Sequence, residues 1–401
     1  MVLSILFLIV SAPLFAVLLV DSALRAWLML ASCVGARGSG EPAGTAEAGR
    51  WAALIPAHDE AAVIGATVSR LRAGPDPPAV FVIADNCADA TAQAARQAGA
   101  SVWERREPRE RSKGAALRWA MTAAAGPLAD YPLVAVFDAD SVVDAGFWQH
   151  ARVALRQGAD AVQGFVQPLS PGTPAADLAA YSELLSQVLE DAGRARLGWP
   201  VPLRGTGMVL RRQLLEELLP CLQTRTEDVE MSLWLAMQGH AVRFVPGAIV
   251  GDPKPAGTGG VATQRARWLQ GQRQVLRTHG RLVARLLLSG RPGNISLVFA
   301  TLLKPKTLVL LAKGVWLAVV AWLPLAPAGL HGAAVALAGL AFALDWVYYA
   351  VGLARVETPG RYARALVRAP VYLAMWVWSL ALSLVSSAPW LSARPGRHHR
   401  R

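Results

Sequence analysis

From Val2 to Val20 the chain runs nineteen residues without a charge, and three further apolar stretches, at about 307–328, 330–353 and 369–390, crowd its C-terminal part. Each is long enough to cross a hydrocarbon core of roughly 30 Å. The sequence between them has an ordinary globular composition. This uneven distribution constrains the fold most, because it describes a soluble domain held between membrane segments. The 54% hydrophobic content, high for a soluble protein, comes from those flanks. A length of 401 residues leaves room for about two domain-sized units.

No Lys or Arg precedes the first stretch, whereas Arg25, Arg37 and Arg50 follow it. A cleaved signal peptide has positive charge first and a shorter apolar core, so an anchor is the better reading. The positive-inside rule then puts the N-terminus outside and residue 50 onward in the cytoplasm. The sequence predicts a multi-pass protein of the cell (inner) membrane, with residues 1–34 as anchor, 35–50 as a small, polar, flexible linker, 305–390 as C-terminal transmembrane helices and 391–401 as a basic tail. Trp316, Trp322, Trp346, Trp376, Trp378 and Trp390 lie in or beside the later segments, as interfacial aromatics do. The link PAGLHG should be external and ARVETPGRYARALVRAP internal. The basic tail prefers the inside, yet three full crossings place it outside, so these two signals conflict. Asp345 is costly in lipid and should face another helix or water, either for function or for an interhelical hydrogen bond.

The net charge of +12 is mostly arginine. Nucleic acid, anionic lipid or a phosphorylated substrate could balance it. No nucleic-acid module is present, which leaves membrane lipid and phosphate as the expected partners. Cys33, Cys87 and Cys221 are few and widely spaced, suggesting neither a disulfide framework nor a metal cluster.

Between Trp51 and Gly251 short apolar runs alternate with helical spacing. WAALIPA, AVFVIAD, PLVAVFD and DAVQGFV read as strands; EAAVIGATVSRLRA, CADATAQAARQAG and KGAALRWAMTAA read as helices. The alternation predicts an α/β domain, its sheet largely parallel and covered on both faces. Ligands of such open sheets bind beyond the carboxyl ends of the strands. There the sequence places His58, Asp59 and Glu60, then Asp85, then Asp138 and Asp140. Turn-forming and helix capping would account for each singly, but not for three acidic strand ends. No GxGxxG or Walker A loop follows a strand, which disfavours a dinucleotide fold and a P-loop. Asp138 and Asp140, one residue apart, point to the same side of an extended chain. Two carboxylates so placed repel unless a cation lies near, and hard Mg²⁺ or Mn²⁺ would accept them together with substrate phosphate.

Seven motifs fall in order along this region: IPAHDE, VIADNCADAT, RSKGAALRWA, FDAD, GTGMVL, TED and QRARW. Together the chain resembles the family 2 glycosyltransferases, over about residues 51–275. More narrowly it resembles the membrane-bound branch of cellulose, chitin-oligosaccharide and hyaluronan synthases. The resemblance implies a GT-A (Rossmann-like) domain at 51–258, interfacial amphipathic helices carrying QxxRW at 259–304, and inverting hexosyl transfer from a nucleotide diphosphate sugar, usually a UDP-sugar. By motif it implies that Pro56, Ala57, His58, Glu60, Asp85, Lys113 and Asp138 hold the nucleotide. Asp138 and Asp140 would hold a divalent cation, Mg²⁺ or Mn²⁺, with Asp140 the direct ligand. Asp228 is the implied general base. Gly205, Thr206, Gly207, Glu227, Gln264, Arg265, Arg267 and Trp268 would border the diphosphate or the acceptor.

These residue types suit the chemistry. A hydroxyl that attacks an anomeric carbon needs a carboxylate to take its proton. The departing diphosphate gains charge, which a metal and arginines can stabilise. TEDVEMSLWLAMQG also reads as a helix start, with Thr226 able to cap it and Glu227 and Asp228 as favourable first-turn acids. VATQRARWLQGQRQVLRTHGRLVARLLL has basic amphipathic spacing and could lie on an anionic membrane surface. GDPKPAGTGG before it has the composition of a mobile loop, and Cys87 suits core packing. The expected product is a growing β-linked polysaccharide or glycan. A non-processive transfer to a lipid-linked acceptor is the first alternative. An inactive nucleotide-sugar-binding scaffold is the second, disfavoured by the intact set Asp85, Asp138, Asp140 and Asp228.

Overall fold

The computed structural model describes residues 2–34, 50–73, 76–123, 125–240, 242–255, 257–303, 306–322, 328–369, 377–378 and 380–381. The linker at 35–50 (Arg50 apart), most of the segment at 369–390 and the tail at 391–401 lie outside them.

Eight strands form one sheet: β1 (Trp51–Ala57), β2 (Ala79–Asp85), β3 (Ser101–Arg105), β4 (Leu133–Val136), β5 (Val142–Val143), β6 (Ala161–Leu169), β7 (Met208–Arg211) and β8 (Val242–Pro253). Their order is β3-β2-β1-β4-β7-β6-β8-β5. β1 pairs in parallel with β2 and β4, β2 with β3, and β6 with β8. The β4–β7, β6–β7 and β5–β8 pairs are antiparallel. The result is the mostly parallel α/β sheet of GT-A type that the sequence predicts.

Both faces of this sheet are buried, which explains why its central strands read as unbroken apolar runs. Along β1, Trp51, Ala53, Ile55 and Ala57 enter one core, where Ile64, Val68 and Leu71 of helix Ile64–Arg72 and Phe147 and Ala151 of helix Phe147–Arg156 meet them. Ala52 and Leu54 enter the opposite core, packed with Ala116, Leu117 and Ala120 of helix Lys113–Ala123 and Met231 and Leu235 of helix Glu227–Gln238. The three parallel strands β2, β1 and β4 therefore end on one edge, and the loops there carry His58, Asp85 and Asp138.

Among the described residues two helices are long and apolar enough to cross a membrane, Ser11–Cys33 and Gly329–Leu353. The span expected at Val2–Val20 is part of a longer helix, Val2–Cys33. That helix continues through Asp21 and Arg25 because both are paired. Arg25, taken from sequence as a cytoplasmic flanking charge, is buried instead: its guanidinium is 3.1 Å from Asp21 and 3.5 Å from Asp345. Lys313 donates at 2.8 Å to both Asp21 and Asp345. Asp345 thus faces other helices, in a quartet of two acids and two bases. The segment expected at 307–328 forms helix Lys306–Trp322, whose 17 residues fall short of the ~20 a straight crossing needs. It lies at 99° to helix Pro292–Leu302, and the two could make a third span only as a bent pair.

A second polar cluster joins the helices to the sheet domain. The π-helical turn Ser186–Asp191 presents Ser186 and Glu190 to Lys306, whose ammonium donates at 2.8 Å to Ser186 and to the Tyr348 hydroxyl and pairs with Glu190. Tyr348 donates in turn to Glu190 at 2.8 Å. Around these groups Met29, Tyr181, Leu185, Leu189, Tyr349 and Tyr362 pack as one apolar cluster.

Candidate active site

A cleft of about 340 Å³ opens between the edge carrying the strand ends and helix Thr258–Leu287. Of the residues singled out by sequence it unites Lys113, Asp138, Gly205, Thr206, Glu227, Asp228, Gln264, Arg265, Arg267 and Trp268 in its lining. Pro56, Ala57, His58, Glu60 and Asp85 are not in that lining. They lie at or just beyond the ends of β1 and β2, whose outer strand is roughly 10 Å along the sheet from β4 at the usual strand spacing. Asp140 stands in the turn after β4 and Gly207 just before β7, also outside the lining.

Lys113 begins the helix Lys113–Ala123 and reaches across the cleft floor. Its ammonium donates to Asp138 Oδ1 at 2.5 Å and to the Gly205 carbonyl at 2.7 Å, and lies 3.8 Å from Glu227 Oε1. Burial alone would lower its pKa, but Asp138 and Glu227 outweigh burial and raise it. The backbone N–H of Asp138 donates to Ser141 Oγ at 3.1 Å and Thr206 Oγ1 at 3.2 Å. Buried Gln163 holds the facing segment in place: it donates to the Thr206 carbonyl at 3.0 Å and accepts from the Arg204 N–H at 2.8 Å. Gly205 has φ +82°, the left-handed region that a side chain disfavours. A Cβ there would stand 3.8 Å from both Lys113 Nζ and Glu227 Oε1 and 3.9 Å from Asp228 Oδ2, so the turn closes on all three groups.

Glu227 and Asp228 occupy the first turn of helix Glu227–Gln238. Thr226 precedes it without a side-chain capping bond, its hydroxyl meeting that of Thr224 at 3.3 Å. Burial pushes Glu227 up to about 8, with Lys113 opposing and the charge of Asp228 adding to the rise. Asp228 is less buried, and its Oδ1 accepts from the Val229 N–H at 2.9 Å. Arg265 is buried, which brings its pKa down to about 9. Burial also lowers Arg267, against the pull of Asp138 and Glu227. Trp268 is 45% exposed at the cleft mouth.

The helix bearing these residues is held to the acids at two points. Buried Glu230 accepts from the Gln223 and Thr224 N–H groups at 2.8 and 3.0 Å and from His279 Nε2 at 2.7 Å, where the helix kinks. Gly271 packs so closely on Thr226 that a Cβ would fall 2.2 Å from Thr226 Cγ2. Gly271→Ala should therefore cost about 1–3 kcal/mol of stability through overpacking and lower turnover by displacing Arg267 and Trp268 from Asp228. Thermal unfolding and steady-state kinetics check this, and adding Thr226→Ser, which removes the clashing methyl, should restore much of both.

At the outer strands, Asp85 is fully buried, paired with Arg105 at 2.7 Å and accepting from Asn86 at 2.9 Å. Its Oδ2 has no hydrogen-bond partner among the described residues, so it is left as an acceptor for a ligand group. Burial raises its pKa, with Arg105 opposing. His58 Nδ1 lies 2.7 Å from the Asp85 carbonyl, which locks the β1 and β2 loops together. Donor atoms of His58, Asp59 and Cys87 come within 4.8 Å of one another. The cleft carboxylates offer only oxygen, which suits a hard divalent cation.

Sequence reasoning missed three cleft residues. Asp252 and Lys254, at the end of β8, and Glu183, from helix Pro174–Leu185, form one ion-paired group in which Lys254 contacts both acids. Burial pushes Asp252 up to about 6, Lys254 opposing and Glu183 adding. The loop composition of GDPKPAGTGG gave no sign of this group.

The mannosyltransferase PcManGT from Pyrobaculum calidifontis, solved in complex with GDP-Man and Mn²⁺, superposes with a TM-score of 0.54 at 18% identity, over 94% of this chain and 99% of that one. Glucosyl-3-phosphoglycerate synthase from Mycobacterium tuberculosis, with Mn²⁺, UDP and phosphoglyceric acid, gives a TM-score of 0.41 at 20% identity, over 58% of this chain and 78% of that one. No curated protein matches the sequence. The sequence profile described as glycosyltransferase like family 2 matches residues 49–271, more than half of the chain. The chain belongs to glycosyltransferase family 2.

Proposed function

We propose that this transferase is an inverting enzyme, anchored in the cell membrane by several passes with its catalytic domain cytoplasmic, that moves a sugar from a nucleotide diphosphate, a UDP-sugar for preference, to a hydroxyl of a β-linked glycan. The observation that carries the reading is the convergence of Lys113, Asp138, Asp228 and the Gln264–Trp268 segment on one cleft.

Asp228 takes the proton of the attacking hydroxyl. Glu227 beside it is buried, its pKa pushed up by that burial, and lies 3.8 Å from the Lys113 ammonium, which leaves the less buried Asp228 as the more accessible carboxylate. Lys113 and Arg267 face the position where the departing diphosphate gains charge. Asp138, with Asp140 in the adjoining turn, would hold a divalent cation, Mg²⁺ or Mn²⁺, which supplies Lewis-acid neutralisation of the phosphates. The unpartnered Oδ2 of Asp85 would accept a hydrogen bond from the base or ribose, with Pro56, Ala57, His58 and Glu60 around it.

One observation favours the alternative of a single transfer to a lipid-linked acceptor. The described residues hold two helices of spanning length, few for a secretion channel in one chain. The cleft reaches Thr301 and Lys306 at the membrane helices, which suits an acceptor approaching from the lipid in either case.

Purified membranes should be given a panel of radiolabelled nucleotide sugars with and without EDTA. One donor is expected to label a product, and EDTA to abolish the labelling. A ladder of products supports polymerisation and a single addition supports the lipid-linked alternative, while no turnover of any donor removes the proposal.

A further inference from the structure

We propose that His58, Asp59 and Cys87 form a site for a thiophilic divalent cation such as Zn²⁺, separate from the oxygen-only carboxylates of the cleft. The first support is the sheet register. β1 and β2 are parallel neighbours with Ala57 opposite Ala84, so the loops that follow them leave the sheet side by side. One donor atom from each of the three side chains lies within 4.8 Å of the other two, and among the described residues no other three His, Cys, Asp or Glu side chains converge in this way. Imidazole nitrogen, carboxylate oxygen and thiolate sulfur together make the donor set of a zinc site, not of Mg²⁺ or Mn²⁺. In a tetrahedral zinc site such donors stand about 3.4–3.6 Å apart. His58 Nε2 is already 3.8 Å from Asp59 Oδ2.

The second support is how each ligand is oriented. His58 Nδ1 is 2.7 Å from the Asp85 carbonyl, which can only accept, so the neutral ring carries its proton there and Nε2 keeps the lone pair. An outer bond of this kind is what fixes the tautomer of a metal-binding histidine. Asp59 Oδ1 accepts from the backbone N–H groups of Ala88 at 2.7 Å and Asp89 at 3.3 Å. That pins the carboxylate to the loop bearing Cys87 and presents its other oxygen to His58. Cys87 is half-buried beyond the strand ends, outside both sheet cores, so the core packing expected from sequence does not account for it. Asp59 is exposed, which opens the site to solvent and leaves a fourth position for water.

The test titrates Cd²⁺, whose bond to a thiolate gives an ultraviolet charge-transfer band that oxygen ligands do not give. The protein is the reduced, detergent-solubilised full chain carrying Cys33→Ser and Cys221→Ser, so that Cys87 is its one thiol. One Cd²⁺ should bind, Zn²⁺ should displace it, and Mn²⁺ should not. Asp59→Asn and His58→Gln keep the thiol and should each weaken uptake at least about tenfold. As a second readout, Zn²⁺ should raise the thermal unfolding midpoint of the parent chain, as any ligand of the folded state does, and raise it less in Asp59→Asn. Full Cd²⁺ affinity in both single variants would reduce the site to a lone thiol and overturn the proposal. Absence of the band, or displacement by Mn²⁺ as readily as by Zn²⁺, would overturn it too. None of these results bears on Asp138 or Asp228, so the proposed function stands or falls separately.

Discussion

Asp228→Asn should lower kcat by about 10²–10⁴-fold, the range a positioned general base contributes, while nucleotide binding stays near that of wild type. The substitution keeps the shape of the side chain, and its oxygen can still accept from the Val229 N–H. Only proton acceptance is removed. The neighbouring Glu227 should not rescue the reaction, because it is buried and Lys113 lies against it. Asp228 instead stands on the less buried side of the same helical turn, close to Gly205 across the cleft. Sugar transfer and UDP affinity measured on the same preparation separate the two effects. Turnover equal to wild type would take Asp228 out of the base role.

Lys313→Met should destabilise the helix assembly by about 3–5 kcal/mol, the cost of leaving buried acids without their base. Lys313 is 2% exposed and holds Asp21 of the first helix and Asp345 of the helix Ala328–Leu353 at once. Its loss leaves Arg25 as the single base for two carboxylates. Replacing all four members together, by Asp21→Leu, Arg25→Met, Lys313→Met and Asp345→Leu, should be far milder, since well-packed apolar groups of similar volume often equal a buried ion pair. Thermal unfolding in detergent, with protease cutting of the first helix as a second readout, checks both. A quadruple variant as unstable as the single one would show that the quartet does more than neutralise itself.

Much of the sheet was legible because burial on both faces leaves a continuous apolar run. β1 and β2 coincide with WAALIPA and AVFVIAD. β3 was not legible: at the sheet edge SVWER is only partly buried and carries charge, including the buried Arg105. β5 has two residues and β7 four, too short for any period to register. β8 contains Pro246 and Gly247, and the β6 register shifts opposite them, so its sequence does not alternate cleanly. In the site, motif residues near in sequence to a strand end were found. Those whose meaning depends on a distant partner were not, as with Lys254 against Glu183 and Glu230 against His279. The buried ion quartet failed for the same reason: Asp345 stood out, but Asp21, Arg25 and Lys313 gain significance only when three helices meet.

Lys306 lines the catalytic cleft while its ammonium is gripped by Ser186, Glu190 and Tyr348. The candidate cleft and the apolar helices are thus bolted through one side chain. Any hinge opening between them would strip a desolvated cation of its ligands. Access to the cleft is accordingly expected through local movement of side chains and short segments, the sheet domain and the helix bundle moving as one body.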